Sequence, residues 1–189
     1  MNKSTAHDDL TAVDRILHAA DRTLHIPPLI LVTWGLCAAI INGIHQGRAL
    51  GFPVPPDAYF HIALMLLAIG ITVWAAGRQN AERETQVDSQ AGITFGVALA
   101  VALLLNLTAQ DTVIPARAMS LFWTGSISIA LLVVGIQASR PLMAGGLALL
   151  AASALAGFVP AWFSGTLALG WLAGLVVPGL VLWNRRADV

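Results

Sequence analysis

Charged side chains are scarce in this sequence. Of its 189 residues, 11% are Asp, Glu, Lys or Arg and 57% are hydrophobic, with a mean hydropathy of +0.77. A soluble domain carries about 25% charged residues, so these charges are too few to cover a water-facing surface. The net charge is zero, and nucleic-acid binding needs a basic face. Composition therefore predicts a membrane protein and excludes nucleic acid as a partner.

Recognisable catalytic and cofactor motifs are also lacking. The single cysteine, Cys37, rules out an internal disulfide. No phosphate-loop pattern and no His-Glu-x-x-His spacing occurs. No Asp, Glu, Lys or Arg stands near the middle of any long apolar run, whereas proton-coupled pumps and many ion-coupled transporters keep an ionisable group there. We therefore expect no enzyme activity and no cofactor.

Long apolar runs are what the sequence does contain. Runs of about 18 or more apolar residues are typical of transmembrane helices, and lipid leaves no partner for open backbone groups. The sequence predicts an all-α integral membrane protein with six transmembrane helices, followed by a short cytoplasmic tail at 184–189. The predicted spans are 26–46, 59–77, 92–110, 118–138, 141–159 and 160–183, with the last two divided at Pro160.

The distribution of basic residues predicts the orientation, because cytoplasmic loops carry an excess of Lys and Arg. With the N-terminus inside, only Arg48 and Arg117 lie outside. The eight other basic residues are then cytoplasmic: Lys3, Arg15, Arg22, Arg78, Arg83, Arg140, Arg185 and Arg186. Six spans place the C-terminus inside as well. The long, Gly- and Ala-rich spans fit a bacterial inner membrane.

Residues 1–25 form the most strongly patterned segment. Its apolar positions recur at alternating spacings of three and four, which predicts one apolar seam along a cytoplasmic amphipathic helix. The seam residues are Leu10, Val13, Leu17, Ala20 and Leu24. The seam can lie on the inner leaflet, dock on a partner or a second copy, or pack on the protein's own cytoplasmic loops. The polar face holds few basic residues, which weakens the lipid interpretation.

Polar residues within the predicted spans are concentrated on the outer side of the midplane. They can line an outward-facing cavity for a small solute, but helix-to-helix hydrogen bonding and bonds from hydroxyls to their own backbone are the favoured explanation. Trp171 falls in mid-span, where it packs between helices or lines a cavity. The candidate ligand-binding residues are Asn42, Asn106, Thr124, Ser128, Ser164, Thr166 and Trp171.

Two histidines flank the first predicted outer loop. His45 ends the first span, His61 begins the second, and Asp57 stands in the loop between them. Two imidazoles and a carboxylate can bind a divalent metal or sense pH. The alternative is that all three are ordinary amphipathic residues at the water boundary.

Small residues and prolines predict helix contacts and a kink. Stripes of Gly and Ala let helix backbones approach closely, within one bundle or between two copies. Three spans carry such a stripe: Gly35, Ala39, Gly43 and Gly47 in the first, Gly92, Gly96 and Ala100 in the third, and Gly170 and Gly174 in the sixth. Pro178 should free the carbonyl of Gly174 and kink the sixth helix.

Two functional hypotheses follow. In the first, the protein is a non-enzymatic membrane subunit or regulator that engages a partner through its N-terminal helix. In the second, it is a small-solute channel, carrier or substrate-binding transport subunit that uses the outer polar residues. The second hypothesis requires Asn42, Asn106 and Thr124 to face one another.

Overall fold

A computed structural model describes residues 27–54, 57–79, 93, 97, 101 and 116–187. Every regular element in these ranges is helical, and none of the described residues belongs to a strand. The helices are α1 (Pro28–Ala49), α2 (Asp57–Gln79), α3 (Ala116–Ala138), α4 (Arg140–Phe158), α5 (Phe163–Trp171) and α6 (Val177–Ala187). A 3₁₀ turn (Pro160–Trp162) precedes α5, and a π-helical turn (Leu172–Val176) joins α5 to α6.

Four stretches of these helices are long and apolar enough to cross a membrane. They cover Pro28–Ala49, Arg117–Ile136, Arg140–Phe158 and Pro160–Arg185, with 22, 20, 19 and 26 residues. At a rise of about 1.5 Å per residue they match a hydrocarbon core of about 30 Å. Helix α2 contains a shorter apolar stretch, Phe60–Ala75. The described part of the chain is therefore all-helical, and its apolar helices fit a membrane location.

The predicted N-terminal helix, with Leu10, Val13, Leu17, Ala20 and Leu24, lies outside the described residues. So does most of the predicted third span, including Asn106. Of that span only Ile93, Val97 and Val101 are described, as exposed helical residues.

Helix α1 ends in a glycine cap. Gly51 has a φ of 86°, a conformation that favours glycine. Its N–H donates to the carbonyl of Arg48, and the N–H of Phe52 donates to the carbonyl of Gly47, both at 3.0 Å. This pair of bonds is a Schellman motif, which stops the helix and turns the chain toward α2.

Neighbouring helices run antiparallel. Gly35 of α1 meets Val176 near the middle of the last helical stretch, while Pro28 at the start of α1 meets Gly179 farther along it. Helix α4 in turn meets the same stretch in the opposite direction, with Ala152 beside Gly170 and Leu149 beside Gly174. The start of α1 and the end of α6 therefore lie at one end of the bundle.

Helices α3 and α4 form the tightest hairpin of the described structure. Ser139 alone separates them: its N–H donates to Gly135, and its carbonyl accepts the N–H of Met143. A Cβ at Gly135 would collide with the backbone nitrogen of Met143. Glycine at this position is therefore what allows so short a turn.

Apolar residues from α1, α3, α4 and the α5–α6 stretch form the core. Its fully buried members are Leu131, Leu142, Leu149, Ala156 and Leu167, and Trp171 belongs to the same cluster. Among the described helices, α2 packs chiefly against α1. Its exposed face carries large apolar side chains such as Leu66, Val73 and Trp74, as expected of a surface that meets lipid.

The π-helical turn lies where the sequence predicted a kink. Pro178 has no N–H to donate to Gly174, and its ring would crowd that carbonyl in a regular α-helix. The N–H of Val177 instead donates to Leu172, five residues earlier. Insertion of a π turn is one way in which a helix accommodates such a disruption.

Candidate functional site

Gln46 is a polar residue buried in the last turns of α1. Its amide nitrogen donates to the carbonyl of Ala161, and its side-chain oxygen accepts the N–H of Gly165, both at 3.0 Å. A single carboxamide thus joins α1 to the start of α5. We call the side of the bundle where α1 ends the Gln46 end.

The break between α4 and α5 explains why such a residue is needed. Pro160 begins a 3₁₀ turn, and Trp162 is the N-cap of α5 but makes no side-chain cap. The first N–H groups of a helix have no partner within it. Gly165 is the third residue of α5, the position that an N-cap side chain usually satisfies. Gln46 therefore caps α5 from another helix.

Glycine at position 165 makes room for this contact. An added Cβ would lie 3.2 Å from Cγ of Gln46 and 3.2 Å from the ring of Trp162. Arg117, at the start of α3, places its guanidinium carbon 5.6 Å from the ring centroid of Phe163. The Gln46 end therefore contains the end of α1, the break before α5 and the start of α3.

His45 and His61 come together at the same end. Their ring centroids are 5.1 Å apart, with the ring planes tilted by 43°. Both residues are half-buried, as expected at the boundary between apolar core and water. The sequence placed them on either side of one loop, and the structure brings the two imidazoles into contact.

Asp57, the third member of the predicted metal or pH-sensing set, is the first residue of α2. Its side chain lies outside the described residues. Among the residues that are described, no three His, Cys, Asp or Glu side chains form a group that could hold a metal ion. The two histidines are therefore the part of this predicted set that the structure assembles.

Two further polar contacts connect α1 to α2. The indole N–H of Trp34 donates to Oγ1 of Thr72 at 2.9 Å, and Thr72 donates to the carbonyl of Ala68 at 2.8 Å. The Sγ of Cys37 lies 3.6 Å from the carbonyl oxygen of Leu64. These contacts fix the antiparallel register of α1 and α2.

Three members of the predicted ligand-binding set, Asn42, Thr124 and Ser128, bond to their own helix. Thr124 donates to the carbonyl of Ser120, and Ser128 donates to that of Thr124, both at 2.7 Å. Both side chains are almost fully buried. Asn42 likewise donates to the carbonyl of Ala38 at 2.9 Å. Bonds of this kind satisfy a polar group locally within an apolar helix bundle.

The remaining described members of that set lie on α5. Ser164 and Thr166 are half-buried, and Trp171 is 9% exposed within the core cluster. The mid-span tryptophan thus packs between helices, which is one of the two placements that the sequence allowed.

Replacement of Thr124 by valine tests the local role of its hydroxyl. Because that hydroxyl donates only to its own helix, we expect the free energy of unfolding to change by less than about 1 kcal/mol. Thr72→Val is the matched comparison and should be the more destabilising, since it removes the acceptor of the Trp34 N–H. Thermal unfolding in detergent measures both. Equal losses of stability in the two variants would contradict the local role assigned to the Thr124 hydroxyl.

Sequence reasoning missed Gln46. Two observations pointed to it: it stands seven residues after Ala39 on the small-residue face of the first span, and Pro160 predicts a helix break with unsatisfied backbone groups. In comparisons with known proteins, the chain matches no protein family, curated protein or solved structure.

Proposed function

We propose that the chain is a six-span membrane protein with both termini in the cytoplasm. In this proposal it is a non-enzymatic membrane subunit or regulator that binds a partner protein through an amphipathic helix in residues 1–25. The bacterial inner membrane is the proposed location.

The directions of the described helices support the number of spans. Helix α2 and helix α3 both run away from the Gln46 end, since α2 is antiparallel to α1 while α3 is antiparallel to α4. The chain between them, 80–115, must therefore return to the Gln46 end. One further span at 92–110 satisfies this requirement and brings the total to six.

The positions of charged and aromatic residues support the orientation. Arg48 and Arg117 lie at the Gln46 end, whereas Arg78, Arg140 and Arg185 lie at the opposite end. The excess of basic residues at the opposite end favours the cytoplasm there. Trp74, whose ring lies 4.6 Å from the guanidinium carbon of Arg78, is suited to that interface.

The partner proposal rests on the hydrogen bonding of polar side chains within the bundle. The buried side chains of Thr124, Ser128 and Gln46 all make their hydrogen bonds to helix backbone. This arrangement is that of a packed scaffold, and it weakens the alternative of a solute-binding cavity. The amphipathic pattern of residues 1–25 is then the strongest remaining signal for an interaction.

A pair of adjacent alanines gives the sharpest test. Ala20 lies on the proposed seam and Ala19 on the opposite face of the same helix. We expect Ala20→Glu to reduce recovery of the partner at least about tenfold, because it puts a charge into an apolar contact. Ala19→Glu should leave recovery unchanged. Affinity purification from native membranes in mild detergent, followed by quantitative mass spectrometry, measures both.

Deletion of residues 1–25 should abolish partner recovery without changing the thermal midpoint of the bundle. A partner that remains bound after the deletion, or that is lost equally from the two alanine variants, would contradict the docking proposal. A bound small molecule in place of a protein partner would favour the solute-binding hypothesis.

A further inference from the structure

The contact between His45 and His61 brings together two metal-ligating side chains from different helices. His45 belongs to the last turns of α1 and His61 to the second turn of α2. Their half-buried rings stand at the Gln46 end, where α1 gives way to a short loop. A site in this place is open to solutes from the water phase and needs no path through the apolar core.

The separation of the rings suits one shared ion. Zinc binds imidazole nitrogen at about 2.0–2.1 Å with tetrahedral angles, which holds two ring centroids about 5 Å apart. The observed centroid distance is 5.1 Å. Imidazole is a preferred ligand of Zn²⁺, Cu²⁺ and Ni²⁺, whereas Mg²⁺ and Ca²⁺ prefer oxygen. We propose that His45 and His61 form a two-imidazole site for a divalent transition-metal ion such as Zn²⁺.

The charges near the pair are compatible with a cation. Arg48 follows His45 by three residues and is exposed, so bulk water weakens its repulsion of a bound ion. On α2, the acidic residue nearest to His61 in the sequence is Asp57, four residues earlier. The described residues of the neighbouring loop, Leu50 to Val54, include no charged side chain.

Two protein ligands are fewer than the three or four of most structural and catalytic zinc sites. Water completes the coordination in this proposal, and we expect weaker binding than at a structural site with four protein ligands. A bound ion would tie the end of α1 to the start of α2. Because Gln46 follows His45 directly, the ion would also hold the turn of α1 that caps α5. This proposal does not depend on the partner proposed for residues 1–25.

Titration of the full-length protein in detergent with Zn²⁺ alone tests the site by calorimetry. We expect His45→Ala and His61→Ala each to weaken binding at least about tenfold, since loss even of an outer-shell partner costs about 10–100-fold in metal affinity. His18→Ala removes a histidine from the N-terminal segment and should leave the affinity unchanged. Zn²⁺ should raise the thermal midpoint of the unaltered protein and of His18→Ala, but not of the two pair variants.

Wild-type affinity in either pair variant would overturn the proposal, as would loss of binding in His18→Ala alone. If an alanine variant does not fold, His45→Gln or His61→Gln preserves a polar side chain at the position and takes its place. The same pattern of binding and thermal shift is then expected, and binding that survives the glutamine substitution would count against the site.

Discussion

Gly145→Ala should destabilise the bundle far more than Gly157→Ala, a substitution of the same kind on the same helix. A Cβ at position 145 would collide with the carbonyl oxygen of Gly174 and would lie 2.7 Å from Cγ of Pro178. Both neighbours are rigid, since one is backbone and the other a ring. Overpacking of this kind typically costs about 1–3 kcal/mol, and we expect the upper part of that range.

The control substitution, Gly157→Ala, is not expected to lower the free energy of unfolding. A Cβ at Gly157 would meet no atom within 4 Å, and alanine favours a helix over glycine by about 1 kcal/mol in measurements on soluble peptides. Gly157→Ala should therefore leave stability unchanged or raise it slightly. Thermal unfolding of the two variants in the same detergent gives the comparison. Similar midpoints would mean that α4 does not approach the π-helical turn as closely as the structure shows.

The same contrast can be repeated on the first helix. Gly35 faces the π-helical turn from α1, where a Cβ would lie 2.8 Å from Cγ2 of Val176, while Gly43 would meet nothing within 4 Å. Gly35→Ala should destabilise and Gly43→Ala should not. Gly35 and Gly145 thus allow two different helices to approach the segment that Pro178 distorts. We infer that these close contacts hold the π-helical turn in place.

Much of the fold could be predicted from the sequence because lipid permits few alternatives. A long apolar run with few charges has to be helical, and the helices α1, α3 and α4 follow from this argument. Pro160 and Pro178 were equally informative, since each of them marks a departure from regular α-helix. The six spans, their orientation and the N-terminal helix remain predictions.

The sequence alone does not show which helices pack against each other. A stripe of small residues predicts a close contact but not its partner. In the structure Gly170 and Gly174 face α4, Gly35 faces the π-helical turn, and Gly43 faces no atom within 4 Å of its missing Cβ. Residues of one stripe on α1 therefore have different surroundings, because positions four apart rotate by about 40° per step around a helix of about 3.6 residues per turn.

Polar residues were hard to interpret for a related reason. A hydroxyl in an apolar helix can bond to the carbonyl one turn earlier or reach a second helix, and spacing does not distinguish the two. Thr124 donates to the carbonyl one turn earlier in its own helix. Thr72 does the same and also accepts the N–H of Trp34 from a second helix. Gln46 was assigned no role because its partners, Ala161 and Gly165, lie more than 100 residues away in the sequence.

Gln46→Met is expected to loosen the start of α5. Methionine keeps the length of the side chain but can neither donate to Ala161 nor accept from Gly165. Each partly buried backbone group that loses its partner costs about 1–3 kcal/mol. Because Ala161 is exposed and water can replace part of that contact, we expect a total loss of about 2 kcal/mol. The thermal midpoint in detergent reports the global change.

Asn42→Leu is the matched control on the same helix. The carboxamide of Asn42 donates to the carbonyl of Ala38 within α1. Its removal therefore breaks no hydrogen bond to a second helix, and we expect a much smaller loss of stability. The two variants also differ in where the change appears. Gln46→Met should speed amide hydrogen exchange at 163–166, while exchange in α3 and α4 should stay slow.

This local measurement separates a cap from ordinary packing. If Gln46 merely filled space, methionine would restore the contact and exchange at the start of α5 would not change. If Gln46 caps the helix, the amides of the first turn of α5 lose protection even though the volume of the side chain is conserved. Equal exchange in the two variants would therefore mean that the break at Pro160 is stabilised by the packing of Trp162 and Phe163 and not by the carboxamide from α1.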